Sequence, residues 1–416
     1  MEKEPAIFVG VDWASTEHQV CMIGPSGPVQ RAFAHDAGGL GAMVDWLCAQ
    51  TANPSDIVVA IEVPHGPVVE ALMDRGLFVY AINPKQLDRF RDRFSPAGAK
   101  DDRRDALVLA SSLRTDRHCF RRLEVLDPVI VELREWSRMA EELKEERNRL
   151  TNRVRQQLWR YFPQALDLSE DPGAEWFLDL WALAPTPAAV SKLTEKKVAC
   201  ILIAHRIRCI GAADALAILK RRALTVAPGT TDAAKAHIAA VAERLRLVNR
   251  QLKEVVHRID LLVNRLAVSE YQPGQIAEQR DAAILRSLPG VGRIVLATLL
   301  AEAHQAVQTR DYRALRTLTG VAPVTKRSGK SRRVEMRQAC SIRLRTAVYH
   351  WARVATIHDA RSRARYASLR GRGHSHGRAL RGVADRLLAV ACAMLENRTA
   401  YDPLKVSAVT AALKTA

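Results

Sequence analysis

Four acidic side chains, Asp12, Glu62, Asp102 and Asp105, have the chemistry and the order along the chain to hold a divalent cation. Asp12 closes the apolar run Ala6-Ile7-Phe8-Val9-Gly10-Val11, and Glu62 closes Ile57-Val58-Val59-Ala60-Ile61. Asp102 and Asp105 open a helical stretch at i, i+3 spacing, which puts both on one face. Carboxylates forced together repel unless a cation sits between them, and an oxygen-only set suits Mg²⁺ or Mn²⁺. One acidic residue at a strand end is ordinarily a solvated cap. Four in this order point instead to a metal centre.

The elements that must bring them together can be read from periodicity. Residues 6–34 contain three short β-prone runs, broken at Ser15-Thr16 and at the turn Gly24-Pro25-Ser26-Gly27. A helix over about 40–49, a strand over 57–63, a helix over 67–75 and a strand over 77–82 follow. This is the order of a ribonuclease-H-like sheet, in which the first and fourth strands are neighbours and Asp12 lies beside Glu62. The segment Lys100-Asp101-Asp102-Arg103-Arg104-Asp105-Ala106 starts a helix to about residue 113, whose first turn can cover the strand ends. Acidic residues also favour a helix N-terminus for its dipole alone, so one of that pair has a purely structural reading.

Asp127-Pro128 forms a cap and first-turn pair for a charged helix to about residue 160. Ile238, Val241, Leu245, Val248, Leu252, Val255, Ile259, Leu262 and Leu266 then repeat with alternating spacings of three and four. That period predicts a coiled coil, paired either with the 128–160 helix or with another subunit. Residues 168–230 read as a helical tip or insertion.

Near Gln275 a third region begins, where Leu288-Pro289-Gly290-Val291-Gly292-Arg293 resembles a helix-hairpin-helix turn. There Gly290 and Gly292 would allow a tight bend and offer helix N–H groups to a DNA phosphate; a plain packing hairpin is the structural alternative. Lys326-Arg327-Ser328-Gly329-Lys330-Ser331-Arg332-Arg333 reads as a basic, flexible segment, and basic helices are expected over 336–372 and 376–396. Lys326, Arg327, Lys330, Arg332 and Arg333 are candidate phosphate contacts. The expected architecture is α/β plus all-α: an RNase H-like domain over 1–122, a coiled-coil linker over 123–272, and a helical C-terminal domain over 273–416.

Charge agrees with a polyanionic partner. The 416 residues carry a formal net charge of +18, with Lys and Arg spread over the whole length rather than confined to a tail. No apolar run of about 18 residues predicts a membrane span, and the N-terminus lacks a signal-peptide pattern. Seven cysteines, scattered and never in a C-x-x-C pair, fit thiols in a reducing cytoplasm and argue against zinc. Aromatic content of 5% makes phosphate contact, rather than base stacking, the expected mode of binding.

Asp12, Glu62, Lys100-x-Asp102-x-x-Asp105-Ala106, the heptads, Leu288-Pro289-Gly290-Val291-Gly292 and the stretch from Gly320-Val321-Ala322-Pro323 to Ser328-Gly329 occur together in order. In this the chain resembles the insertion-sequence 110 family of DEDD transposases over nearly its full length, although it is longer than compact members. The resemblance implies that the RNase H-like domain over 1–122 is RuvC-like, and that the chain is a DNA recombinase acting on donor and target DNA, guided by a structured bridge RNA and active in the bacterial cytoplasm at the nucleoid. It implies that Asp12, Glu62, Asp102 and Asp105 bind Mg²⁺ or Mn²⁺. It implies a nucleophilic serine matched by Ser328, with Ser331 as the neighbouring alternative, acting through a phosphoserine intermediate. Because the serine and the carboxylates are far apart in sequence, a homodimer that pairs into a tetramer is expected to assemble them. Two rival readings are a RuvC-like nuclease that uses metal-activated water, and a non-enzymatic coiled-coil scaffold that binds nucleic acid.

Overall fold

Short continuous apolar runs, buried on both faces, build the centre of the first sheet. A computed structural model describes residues 5–94, 101–124, 127–267, 277–329 and 331–402. The chain divides into two units, Met1–Leu126 and Asp127–Ala416.

In the first unit, β1 (Ile7–Asp12), β2 (Glu17–Gly24) and β3 (Gly27–Ala34) form the expected antiparallel meander. Helix α1 (Ala37–Cys48) leads to β4 (Ile57–Ile61), α2 (Pro67–Asp74) leads to β5 (Phe78–Ala81), and α3 (Pro84–Asp92) precedes α4 (Asp102–Thr115). A short β6 (Arg121–Arg122) completes a mixed sheet of order β3-β2-β1-β4-β5-β6. Strands β1 and β4 are parallel neighbours, as expected for the first and fourth.

The sheet has two differently used faces. Ile7, Val9 and Val11 with Ile57, Val59 and Ile61 pack against Met43 and Leu47 of α1 and Val68 and Leu72 of α2. On the other side Val58, Ala60 and Tyr80 meet Val108, Leu109 and Leu113 of α4. Gly10 makes that second contact close. A Cβ there would lie 2.1 Å from the Ala106 carbonyl oxygen and 2.6 Å from the Ala110 nitrogen, so α4 rests directly on the strand backbone. The β3 edge is joined to α4 as well, through the Gln30 amide donating to the Arg103 carbonyl.

The second unit starts at Asp127, whose carboxylate accepts from the Val129 N–H and caps α5 (Pro128–Tyr161). Helices α6 (Glu175–Leu183), α7 (Glu195–Ala204) and α8 (Ala212–Leu219) fill the stretch read as a helical tip, and α9 (Thr230–Leu266) returns. Glu132 pairs with Arg258 and Glu146 with Arg244, while Arg147 bonds Asn249. Those pairs run in opposite directions, so α5 and α9 lie antiparallel along one another within the same chain. The buried stripe of α9 contains every heptad residue except Leu252, which is half-buried.

Beyond it come α10 (Ala277–Arg286), α11 (Arg293–Glu302), α12 (His304–Gln308) and α13 (Tyr312–Leu318). Strands β7 (Val324–Ser328) and β8 (Ser331–Glu335) then pair antiparallel. Three helices close the unit: α14 (Ile342–His358), α15 (Ala360–Gly371) and α16 (His376–Asn397). Two expectations need correction here. The basic segment read as flexible is a β-hairpin, because Thr325 and Val334 favour strand and Gly329, at φ +52°, supplies the positive-φ turn position. The helix expected across 336–372 begins only at Ile342, and it breaks at Asp359, whose side chain accepts from the Ser362 N–H and caps α15. Among the described residues no helix is long and apolar enough to cross a membrane.

Candidate functional site

The register of the central strands sets the first constellation. Val11 is paired with Ile61, so Asp12 and Glu62, one residue further on, leave adjacent parallel strands side by side. Continuing the alternation, both belong to the face that α4 covers. Asp102 and Asp105 lie in the first turn of α4. Its N-cap is Asp101, whose side chain accepts from the Arg103 N–H, so neither Asp102 nor Asp105 is needed as the cap. Asp105 is buried, Asp12 and Glu62 are half-buried, and Asp102 is exposed.

These carboxylates feel one another. The Asp12 carboxyl is pushed up from 3.8 to about 6, first by burial, then by repulsion from Asp105 and Asp102, with Glu62 adding to it and Arg91 opposing it. An acid of ordinary strength has thus been made reluctant to ionise, first because burial strips water from its charged form and then because negative charge converges on it.

A cation from the protein partly answers that charge. Arg91, in the last turn of α3, donates from Nε to Asp105 Oδ1 at 2.7 Å and from Nη2 to Asp105 Oδ2 at 2.8 Å. Its Nη1 reaches Asp88 Oδ1 at 2.5 Å, and Nη2 stands 4.0 Å from Glu62 Oε2. Sequence reasoning did not single out Arg91 or Asp88. Their i, i+3 spacing marks a helix pair, but nothing along the chain tells that the guanidinium fork turns inward to a residue fourteen positions away.

The oxygen-only donor set carries more negative charge than one arginine neutralises, a chemistry that suits a divalent cation. Its present arrangement is closed by Arg91. Among the described residues, no group of three or more His, Cys, Asp or Glu side chains stands ready to hold a metal ion.

The second constellation is the hairpin. Its register pairs Ser328 with Ser331, Arg327 with Arg332, and Lys326 with Arg333. Opposed residues share a face and successive ones alternate. Ser328 and Ser331 therefore share a face with Lys326, Arg333 and Glu335, while Arg327 and Arg332 lie on the reverse. Lys326 bonds Glu335 at 2.7 Å, which takes one positive charge out of play on the serine face. Arg327, Arg332 and Arg333 are exposed and have no carboxylate partner among the described residues. Lys330 lies outside the described residues.

Gly290 and Gly292 have different surroundings. At Gly290, φ is +81° and a Cβ would meet the Ala355 nitrogen at 2.8 Å and the Trp351 carbonyl oxygen at 3.1 Å, so this glycine seats the turn on α14. The Trp351 indole donates to the Pro289 carbonyl at 2.9 Å and fixes the same contact. Gly292 is exposed with open space around it, at the N-cap of α11. Several C-terminal arginines are likewise internal ties: Arg343 pairs with Glu141 and Glu302, and Arg345 donates to the Arg337 carbonyl.

Residues 9–163 match a family model described as a transposase, and residues 282–367 match one described as transposase, IS116/IS110/IS902 family. The first match contains all four carboxylates and Arg91, and the second contains Gly290, Gly292 and the hairpin. Over 96% of both chains the sequence is 31% identical to the mini-circle putative transposase for IS117 of Streptomyces coelicolor. It is 58% identical to putative transposase y4uE of Sinorhizobium fredii, over 48% of this chain and 57% of that protein. A third relative, the insertion element IS110 uncharacterized 43.6 kDa protein of Streptomyces coelicolor, is 26% identical over 96% of both.

Proposed function

This chain belongs to the IS110 family of transposases, enzymes that cut and rejoin DNA, and from that premise we propose a division of labour between its two constellations. Asp12, Glu62, Asp102 and Asp105, in a RuvC-like domain, are the ligands of Mg²⁺ or Mn²⁺. Ser328 is the nucleophile, presented at the turn of a basic hairpin. The observation that carries the reading is the strand register, which delivers two carboxylates side by side onto the face where α4 brings two more.

A bound divalent ion would supply neutralisation of charge developing on the phosphate. The chain does the rest. Ser328 Oγ forms a bond to phosphorus as the bond from phosphorus to the 3′ oxygen breaks. The hydroxyl proton departs, and the 3′ oxygen takes one up, so the phosphoserine ester retains the bond energy needed for rejoining. Arg333 shares the serine face and is placed to hold a phosphate oxygen, while Arg327 and Arg332 on the reverse grip the backbone of the nucleic acid. The charge of Lys326 is met by Glu335, and Lys330, outside the described residues, remains a candidate phosphate contact by its sequence position alone. Gly292, at an open helix N-terminus, offers backbone N–H groups to a further phosphate, and Gly290 supports that turn from behind.

The strongly positive chain also suits an RNA partner, and a guide RNA pairing with donor and target DNA is part of this reading. So is a homodimer, paired again into a tetramer on DNA, that brings serine and carboxylates to one phosphate.

Replacing Ser328 with Ala abolishes the covalent protein–DNA adduct, seen as a shifted band on denaturing gels, while nucleic-acid binding stays within about twofold. Adducts that survive S328A and vanish in Ser331→Ala reassign the nucleophile to the opposite strand of the hairpin. Metal-dependent cleavage with no adduct in the unsubstituted protein makes water the nucleophile.

A further inference from the structure

Four carboxylates and one guanidinium make an unequal set, and the guanidinium is not at its edge. Arg91 spans Asp105 with both arms of its fork, the geometry in which arginine binds a carboxylate most tightly. The Asp105 side chain is 2% exposed and that of Arg91 is 27% exposed, so the pair is sheltered from solvent on the acidic side. The same Nη2 that holds Asp105 faces Glu62. A divalent ion bound by these carboxylates would need lone pairs that now point at N–H groups, and it would sit beside a fixed positive charge. On the outer side Nη1 is tied to Asp88, whose side chain is 65% exposed. The residue thus has contacts to Asp105 and Glu62 inside the cluster and one to Asp88 in reach of water, on a side chain with several rotatable bonds.

We propose that Arg91 is the built-in counter-cation of the acidic cluster: it holds Asp105 while no metal is bound and must give up that carboxylate when a divalent ion enters. The proposal rests on the metal-site reading of Asp12, Glu62, Asp102 and Asp105. Two consequences follow from the geometry. Without metal, Arg91 keeps Asp105 and Glu62 from driving α4 off the strand ends. With metal, its competition raises the concentration of ion needed to fill the site, while the contact to Asp88 gives the freed guanidinium a carboxylate to stay with.

Binding of Mn²⁺ to the full-length chain, followed by calorimetry and by the electron paramagnetic resonance of the free ion, tests this together with thermal unfolding in EDTA. Arg91→Ala is expected to bind Mn²⁺ about tenfold more tightly than the unsubstituted protein and to melt at a lower temperature in EDTA, with Mn²⁺ restoring the difference. Arg91→Lys, which keeps a charge but cannot fork, is expected to fall between them, and it decides the matter should R91A fail to fold. Weaker or unchanged Mn²⁺ affinity in a folded Arg91 variant overturns the proposal, since it would make Arg91 a support of the site rather than a competitor. Asp12→Asn separates the premise from the proposal. If D12N binds Mn²⁺ as the unsubstituted protein does, the metal-site reading falls, whatever the Arg91 variants do.

Discussion

Asp12 is where the conflict between fold and charge is concentrated. Its folded carboxyl titrates near 6 against an ordinary 3.8, so between those values the folded protein holds a proton that the unfolded chain has released. The contribution of Asp12 to the stability of the metal-free protein therefore falls as pH rises from about 4 to about 6 and stays at the lower level above that. Asp12→Asn removes the effect. It should leave metal-free stability unchanged near pH 4 and raise it by ~1–2 kcal/mol at pH 7, the full shift being discounted by about half for residual solvent contact. Urea unfolding of the two proteins in EDTA at both pH values checks this; an equal difference at the two would mean that ionisation of a buried Asp12 among other carboxylates is not the cause. His18 contributes an opposite slope, since burial and His35 lower its pKa, but it is common to both proteins and cancels in the comparison.

At the scale of elements, the site depends on how closely α4 lies against β1. Gly10→Ala would place a methyl against the helix backbone at Ala106 and Ala110, with no flexible side chain able to yield. It should destabilise the first unit by about 2–3 kcal/mol and weaken Mn²⁺ binding, because Asp105 moves with the helix. Normal affinity in G10A would dissociate the helix seat from metal binding. The parts of this arrangement that could be read in advance are those driven by apolar periodicity. Short apolar runs marked the strands and their order, and the heptads marked α9 while leaving open whether the 128–160 helix or another subunit is its partner. What could not be read is tertiary. Helix α3 is short and polar, with only Leu87 and Phe90 to mark its inward face, and with it went Arg91. The hairpin alternates charged residues with charged residues, hence its β period is invisible to hydrophobicity. Gly290 looks like a phosphate-binding glycine until α14 is seen packed on it.

The whole molecule carries a charge of +18, and its effect on binding should be measurable as a dependence on salt. Each arginine that displaces a counterion from duplex DNA contributes about 0.9 to the slope of log affinity against log salt. Changing Arg327, Arg332 and Arg333 together to Gln should lower that slope by roughly 2–3 and weaken binding to all sequences alike, as read by fluorescence anisotropy across a salt series. An unchanged slope would mean that the hairpin does not meet the backbone. Internal ion pairs such as Arg343 with Glu141 and Glu302 should not enter that count, so the 63 Lys and Arg residues overstate the number of phosphates the protein can engage.

Helices α5 and α9, with 34 and 37 residues, run alongside each other for about 50 Å at ~1.5 Å per residue. That is the length of roughly 15 stacked base pairs. A pair of helices this long behaves as a lever: pivoting it by about 5° at one end sweeps the far end through ~4 Å, more than one base-pair step. Small changes in seating at the base of the rod are thus magnified at its tip into displacements of nucleotide size.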